Sequence, residues 1–219
     1  METGTVLAQE GTLAVPHAGT GPGVLVLHAW WGLNDTMKQV CDRLARTGFV
    51  AFAPDLYHGQ MATTIEEAEQ LSSQLDDEQA KGDIAAAIDV LWERAEGPDR
   101  GIGVIGFSLG AYYAIDAAIR DPDRVRAVVL FYGTGEGDLS RSRAAFLGHF
   151  AENDPYESAE YVEAIEAELR QAGRPVTFYW YEGLGHWFFE EDRPDAYDEP
   201  AARLAWERTI EFLRRTLGG

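Results

Sequence analysis

A serine hydroxyl attacks carbonyl carbon at neutral pH only beside a base that takes its proton, and that base needs a carboxylate to fix its tautomer and stabilise its charged form. The segment Gly106-Phe107-Ser108-Leu109-Gly110 carries the G-x-S-x-G pattern of such serines. In a chain with 23 glycines the pattern alone is a weak signal. Its flanks strengthen it, because Ile102 to Phe107 is an apolar strand and Leu109 to Ile119 an apolar helical stretch. Ser108 therefore falls at a strand-to-helix corner, where glycines at 106 and 110 remove Cβ atoms that would collide in so tight a turn. The helix beginning after Ser108 turns free N–H groups and its positive dipole end toward the reacting centre. The Leu109 N–H is thus the expected first donor of an oxyanion hole. The second should come from the loop His28-Ala29-Trp30-Trp31-Gly32 after an early strand, with the Trp30 N–H as donor.

Serine corners of this kind belong to the α/β-hydrolase fold, in which the chain order is serine, acid, histidine. His17, His28 and His58 precede Ser108, which leaves His149 and His186. His149 lies inside the apolar run Ala145 to Phe150, ahead of any acid in the next loop, and reads as a strand residue. His186 stands in the Gly-rich loop Glu182-Gly183-Leu184-Gly185-His186 and is the expected base. The expected acid is Asp154, in Ala151-Glu152-Asn153-Asp154-Pro155 next to a turn-forming proline; Glu152 is the alternative.

Elements that could position these residues alternate along the chain. Strands are expected at Thr5 to Gln9, Thr12 to Pro16, Gly23 to His28, Val50 to Ala53, Gly101 to Phe107, Val125 to Tyr132, Ala145 to Phe150 and Val176 to Tyr181. Helices are expected at Thr36 to Gly48, Ile65 to Gln79, Asp83 to Glu96, Leu109 to Arg120, Ala159 to Ala172 and Pro200 to Leu217. The alternation predicts a mainly parallel central sheet with helices on both faces, in one domain over residues 1–219. Cys41 falls on the apolar stripe of the first helix and is expected in the core. Aromatic residues gather at Trp30-Trp31 and from Phe178 to Phe189, both at strand ends, where open α/β sheets bind ligands.

With these residues in view, the chain resembles the dienelactone hydrolase family of α/β-hydrolases. The likeness runs through His28 to Asp35, Ala53-Pro54-Asp55-Leu56-Tyr57, the serine corner, Glu152-Asn153-Asp154-Pro155-Tyr156, Gly183 to Phe188 and Ala205-Trp206-Glu207-Arg208-Thr209. Members acting on dienelactone carry a cysteine where this chain has Ser108, and where it has Ala29 a glutamate that helps ionise that cysteine. A serine activated by His186 has no need of that second carboxylate. The family's substrate-carboxylate arginines also have no match: Gln60 to Gln79 lacks arginine, and Trp187-Phe188-Phe189-Glu190 follows His186. Arg193 could replace a lost arginine, but in the acidic run Glu190-Glu191-Asp192-Arg193 a surface ion pair is its expected use.

The resemblance with these departures implies a serine carboxylesterase acting on small neutral esters or lactones, in a pocket edged by Ala29, Trp31, Tyr57, Trp187 and Phe188. The alternatives are dienelactone hydrolysis proper, a thioester or amide substrate, or a non-catalytic ligand receptor. Neither a cofactor nor a metal is expected. A formal charge of −19 over 219 residues argues against nucleic acid or anionic membrane as partners. With no long apolar run, no signal-like N-terminus and one cysteine, a cytoplasmic monomer or homodimer is expected.

Overall fold

The computed structural model describes residues 10–95 and 101–218. The strand expected at Thr5 to Gln9 lies outside them. The elements run β1 (Gly11–Ala14), β2 (Gly23–Leu27), α1 (Asp35–Arg46), β3 (Val50–Pro54), α2 (Ile65–Gln74), α3 (Asp77–Arg94), β4 (Ile102–Phe107), α4 (Leu109–Arg120), β5 (Val125–Phe131), β6 (Ala145–Ala151), α5 (Ala159–Gln171), β7 (Val176–Tyr181) and α6 (Glu199–Leu217). They form a seven-stranded sheet in the order β1-β3-β2-β4-β5-β6-β7. β1 pairs antiparallel with β3 at one edge, and every other pairing is parallel.

Central strands of such a sheet face apolar layers on both sides, so their residues are continuously apolar and alternate between two cores. In β2, Val24 and Val26 join the core under α1 and α6, while Leu25 and Leu27 join the core under α3, α4 and α5. The same division sends Ile105 one way and Val104 the other. A one-residue slip of register would exchange the two sets. Cys41 is buried in the first core as expected, and burial pushes its thiol up to about 12, so it stays protonated.

The second and third helices divide earlier than the sequence pattern suggests. α2 stops at Gln74, and α3 starts at Asp77 because the Asp76 side chain accepts from the Gln79 N–H and caps it. Helical periodicity continues across residues 75 and 76, which hid this break. The N-terminus of α1 is capped by Asn34, whose side chain accepts from the Met37 N–H and also donates to Asp192 at 3.0 Å. That bond ties the start of α1 to the loop after β7.

Candidate active site

The serine corner is built by close approach. A Cβ on Gly106 would lie 2.3 Å from the Gly110 carbonyl oxygen, and one on Gly110 would lie 2.2 Å from that of Leu27. Only hydrogen fits at either place, so α4 can dock against the end of β2 and the corner can close. Ser108 is held at φ 50, ψ −113, a conformation that L side chains avoid, and its N–H is anchored on the Phe131 carbonyl at 2.9 Å. Its hydroxyl makes no cap bond to α4, which leaves it free for another partner.

That partner is His186. Ser108 Oγ lies 2.9 Å from His186 Nε2, and His186 Nδ1 lies 2.6 Å from Asp154 Oδ2. A carboxylate accepts only, so Nδ1 carries the proton and Nε2 is left to accept from the serine. Both members of the histidine–aspartate pair are almost wholly buried, with side chains 4% and 3% exposed. The other oxygen of Asp154 accepts from the Tyr156 and Glu157 N–H groups, so backbone holds the carboxylate from the side opposite the histidine. Glu152, the alternative acid, accepts instead from the Gly183 N–H at 2.8 Å. It braces the loop that carries His186, together with the Asn153 N–H on the Leu184 carbonyl.

His149, His28 and His58 have other surroundings. His149 is buried in β6 between the Tyr181 and Thr209 hydroxyls, and burial holds it down to about 3 and uncharged. His28 is also buried; it donates from Nδ1 to the Ala29 carbonyl and accepts the Leu56 N–H on Nε2, which fixes the loop after β2. His58 is exposed in part, near Glu10 and Asp83.

Leu109 is the first residue of α4, so its N–H has no partner within the helix. A Cβ on Gly110 would also meet the His28 carbonyl at 2.8 Å, which places this helix start against the loop holding Trp30. The Trp30 N–H donates no hydrogen bond among the described residues.

The expected pocket edge is partly displaced. Trp187, at φ 65, sets its ring edge-on to His186 at 5.0 Å. Around it gather Trp30 at 5.9 Å and Tyr156 at 5.1 Å, and Tyr156 also lies 5.1 Å from His186. Tyr156 is half exposed, and its ring and that of Trp30 are absent from the expected set. Phe188, by contrast, is fully buried against Tyr132 and Tyr181, because its side chain turns into the core under α6. Tyr57 is buried against His28 and helps to line a separate cavity of about 110 Å³ with Leu56, His58, Leu71 and Gln79, which includes no triad residue. Ala29 and Trp31 are buried too. Arg193 is more than a surface partner of Asp192: its guanidinium lies 3.6 Å over the Trp31 ring, where desolvated cation–π contact holds it.

A sequence profile of the dienelactone hydrolase family matches residues 9–217. The chain belongs to the dienelactone hydrolase family. It is 34% identical over 216 residues to Protein usf of Aquifex pyrophilus, covering 94% of this chain and 93% of that one. It is 31% identical to a carboxymethylenebutenolidase of Pseudomonas sp. (strain P51), covering 93% and 88%. In fold it is similar to a dienelactone hydrolase-like promiscuous phosphotriesterase from metagenomic libraries, with a TM-score of 0.83 at 24% identity over 95% and 92% of the two chains. The sheet order and flanking helices are those of an α/β-hydrolase, and family and relatives together make the protein a carboxylic ester hydrolase.

Proposed function

We propose that this member of the dienelactone hydrolase family is a serine hydrolase that cleaves small neutral esters or lactones through an acyl-enzyme. The observation that carries this reading is the unbroken chain of short contacts from Ser108 Oγ through His186 to Asp154. Ser108 attacks the carbonyl carbon while His186 Nε2 takes the hydroxyl proton. The tetrahedral oxyanion is held by the Leu109 and Trp30 N–H groups. Collapse expels the alcohol, which takes the proton back from His186. Water then attacks the acyl-serine with His186 again as base, and the acid leaves. Asp154 keeps the imidazole in the required tautomer and balances its charge in both steps.

Neutral substrates are favoured by the aromatic surroundings of His186 and by the placement of Arg193. Its guanidinium is engaged by Trp31 and lies near Asp192, so it is not a free anchor for a carboxylate. Hydrolysis of an anionic lactone is the second reading, favoured by the carboxymethylenebutenolidase relative. A panel of neutral esters of increasing acyl length, alongside anionic lactones, separates the two, with Ser108→Ala as control. The expected result is turnover of the short neutral esters and a loss of roughly 10⁴-fold or more in the variant. Near-normal activity of Ser108→Ala would overturn the triad, and turnover of anionic lactones alone would overturn the neutral substrate class.

A further inference from the structure

Two buried polar residues beside the triad have no part in the chemistry above. Tyr132 follows the last residue of β5 and is held at φ 37, a left-handed conformation unusual for a large side chain. The next residue, Gly133, packs so tightly on the nucleophile that a Cβ there would lie 2.6 Å from the Ser108 carbonyl oxygen. The Tyr132 backbone is thus clamped against the serine corner. Its N–H is also anchored, on the His149 carbonyl at 2.8 Å. Its ring lies 4.9 Å from the His186 ring, and its hydroxyl donates to Glu190 Oε1 at 2.8 Å.

Glu190 belongs to the turn that follows His186. Its N–H donates to the Trp187 carbonyl, and its own carbonyl accepts from the Arg193 N–H, both at 2.9 Å. The side chain is fully buried, and its second oxygen has no partner among the described residues. Such a group is costly in a core, where an apolar residue of the same size would be cheaper. Its one hydrogen bond reaches across 58 positions of sequence to the end of β5. The result is a closed circuit: serine corner, Tyr132, Glu190, the turn after His186, and His186 back to the serine.

We propose that Glu190 is a positioning residue for the base: by holding the Tyr132 hydroxyl, it fixes the ring against which the His186 imidazole is set and ties the base loop to the nucleophile corner. The inference rests on His186 being the base. The loop from 182 to 198 has no regular secondary structure of its own. The His186 ring therefore depends on its neighbours, with Asp154 setting its edge and the Tyr132 and Tyr156 rings packed against it. Glu190 itself is sealed from solvent and touches no substrate.

The test uses Tyr132→Phe, Glu190→Leu, the double variant, and Glu190→Gln in the full chain. Turnover of p-nitrophenyl acetate and the rate of Ser108 labelling by a fluorophosphonate are measured, with thermal melting as the check on folding. Each single variant should lose about tenfold in kcat and in labelling rate, with KM within about twofold. The double variant replaces both polar partners by apolar groups, so it should melt close to the unmodified protein. It should lose no more activity than either single variant, because all three break one linkage. Glu190→Gln keeps an acceptor for the hydroxyl and should stay within about threefold. A folded double variant with kcat within twofold of the unmodified protein, or single losses that multiply in it, would overturn the proposal. If the unmodified protein takes no label and Ser108→Ala keeps its turnover, the serine-triad reading itself has failed, and the positioning role falls with it.

Discussion

Asp154 uses both carboxylate oxygens, one on His186 and the other on two backbone N–H groups. Asp154→Asn replaces one acceptor by a donor and favours the histidine tautomer whose Nε2 carries a proton. A fall in kcat of roughly 10³ to 10⁴-fold is expected, with KM little changed, measured by steady-state turnover of a neutral ester. Glu152→Gln keeps a carbonyl oxygen for the Gly183 N–H and should stay within about tenfold in the same assay. Ser108, Asp154 and His186 were legible because each falls within a glycine- or proline-bearing turn after a strand, in an order the fold requires. Glu190 was not legible. In Glu190-Glu191-Asp192 it looks like one more surface acid, and only the chain path shows that it points inward to Tyr132. Burial pushes its carboxyl up to about 8, against about 4.5 in the unfolded chain. Between those values the unfolded chain has released a proton that the folded one retains, so rising pH favours unfolding across that window. Glu190→Gln has no such proton to release. Its stability relative to the unmodified protein should therefore be flat below about pH 4.5, climb on the order of a few kcal/mol toward pH 8, and level off above, as read by urea denaturation at several pH values. A difference independent of pH would mean that the carboxyl is not held neutral by burial.

At the scale of elements, the site depends on how closely β2, β4 and α4 approach. Gly110→Ala puts a methyl 2.2 Å from the Leu27 carbonyl oxygen, and neither the strand nor the helix start can yield without moving the serine corner. A loss of about 3 kcal/mol or more in unfolding free energy is expected by denaturant titration, together with loss of labelling at Ser108. Unchanged stability would show that the corner can open. The strands and helices around the site were readable because both sheet faces are covered, so strands appear as short apolar runs and helices by their period. What sequence did not reveal was the break between α2 and α3. Asp76 among the acids Asp76-Asp77-Glu78 looks like surface charge rather than a cap, and Ala80 and Ile84 continue the apolar stripe. The pocket was only half readable for a similar reason: Trp187, Phe188 and Phe189 are all buried, and sequence does not say that Trp187 packs on His186 while Phe188 packs on Tyr132 and Tyr181.

On the whole-molecule scale the dominant feature is the formal charge of −19. None of the helices in the described residues is long and apolar enough to cross a membrane. A field of that sign repels anionic substrates before any contact with the site, and salt screens it with a Debye length of about 10 Å at 0.1 M. The charge therefore supplies a discrimination independent of the pocket. For an anionic lactone, kcat/KM should rise several-fold between about 0.01 and 0.5 M sodium chloride. A neutral ester of similar size should change by less than twofold over the same range, and a cationic ester should lose activity as salt is added. Steady-state rates for the three substrates on one protein preparation provide the comparison, with the neutral ester correcting for any effect of salt on the fold. If the anionic and neutral substrates respond alike, the field does not reach the site. Any selectivity against anions would then have to rest on local contacts, such as those by which Trp31 and Asp192 engage the Arg193 guanidinium.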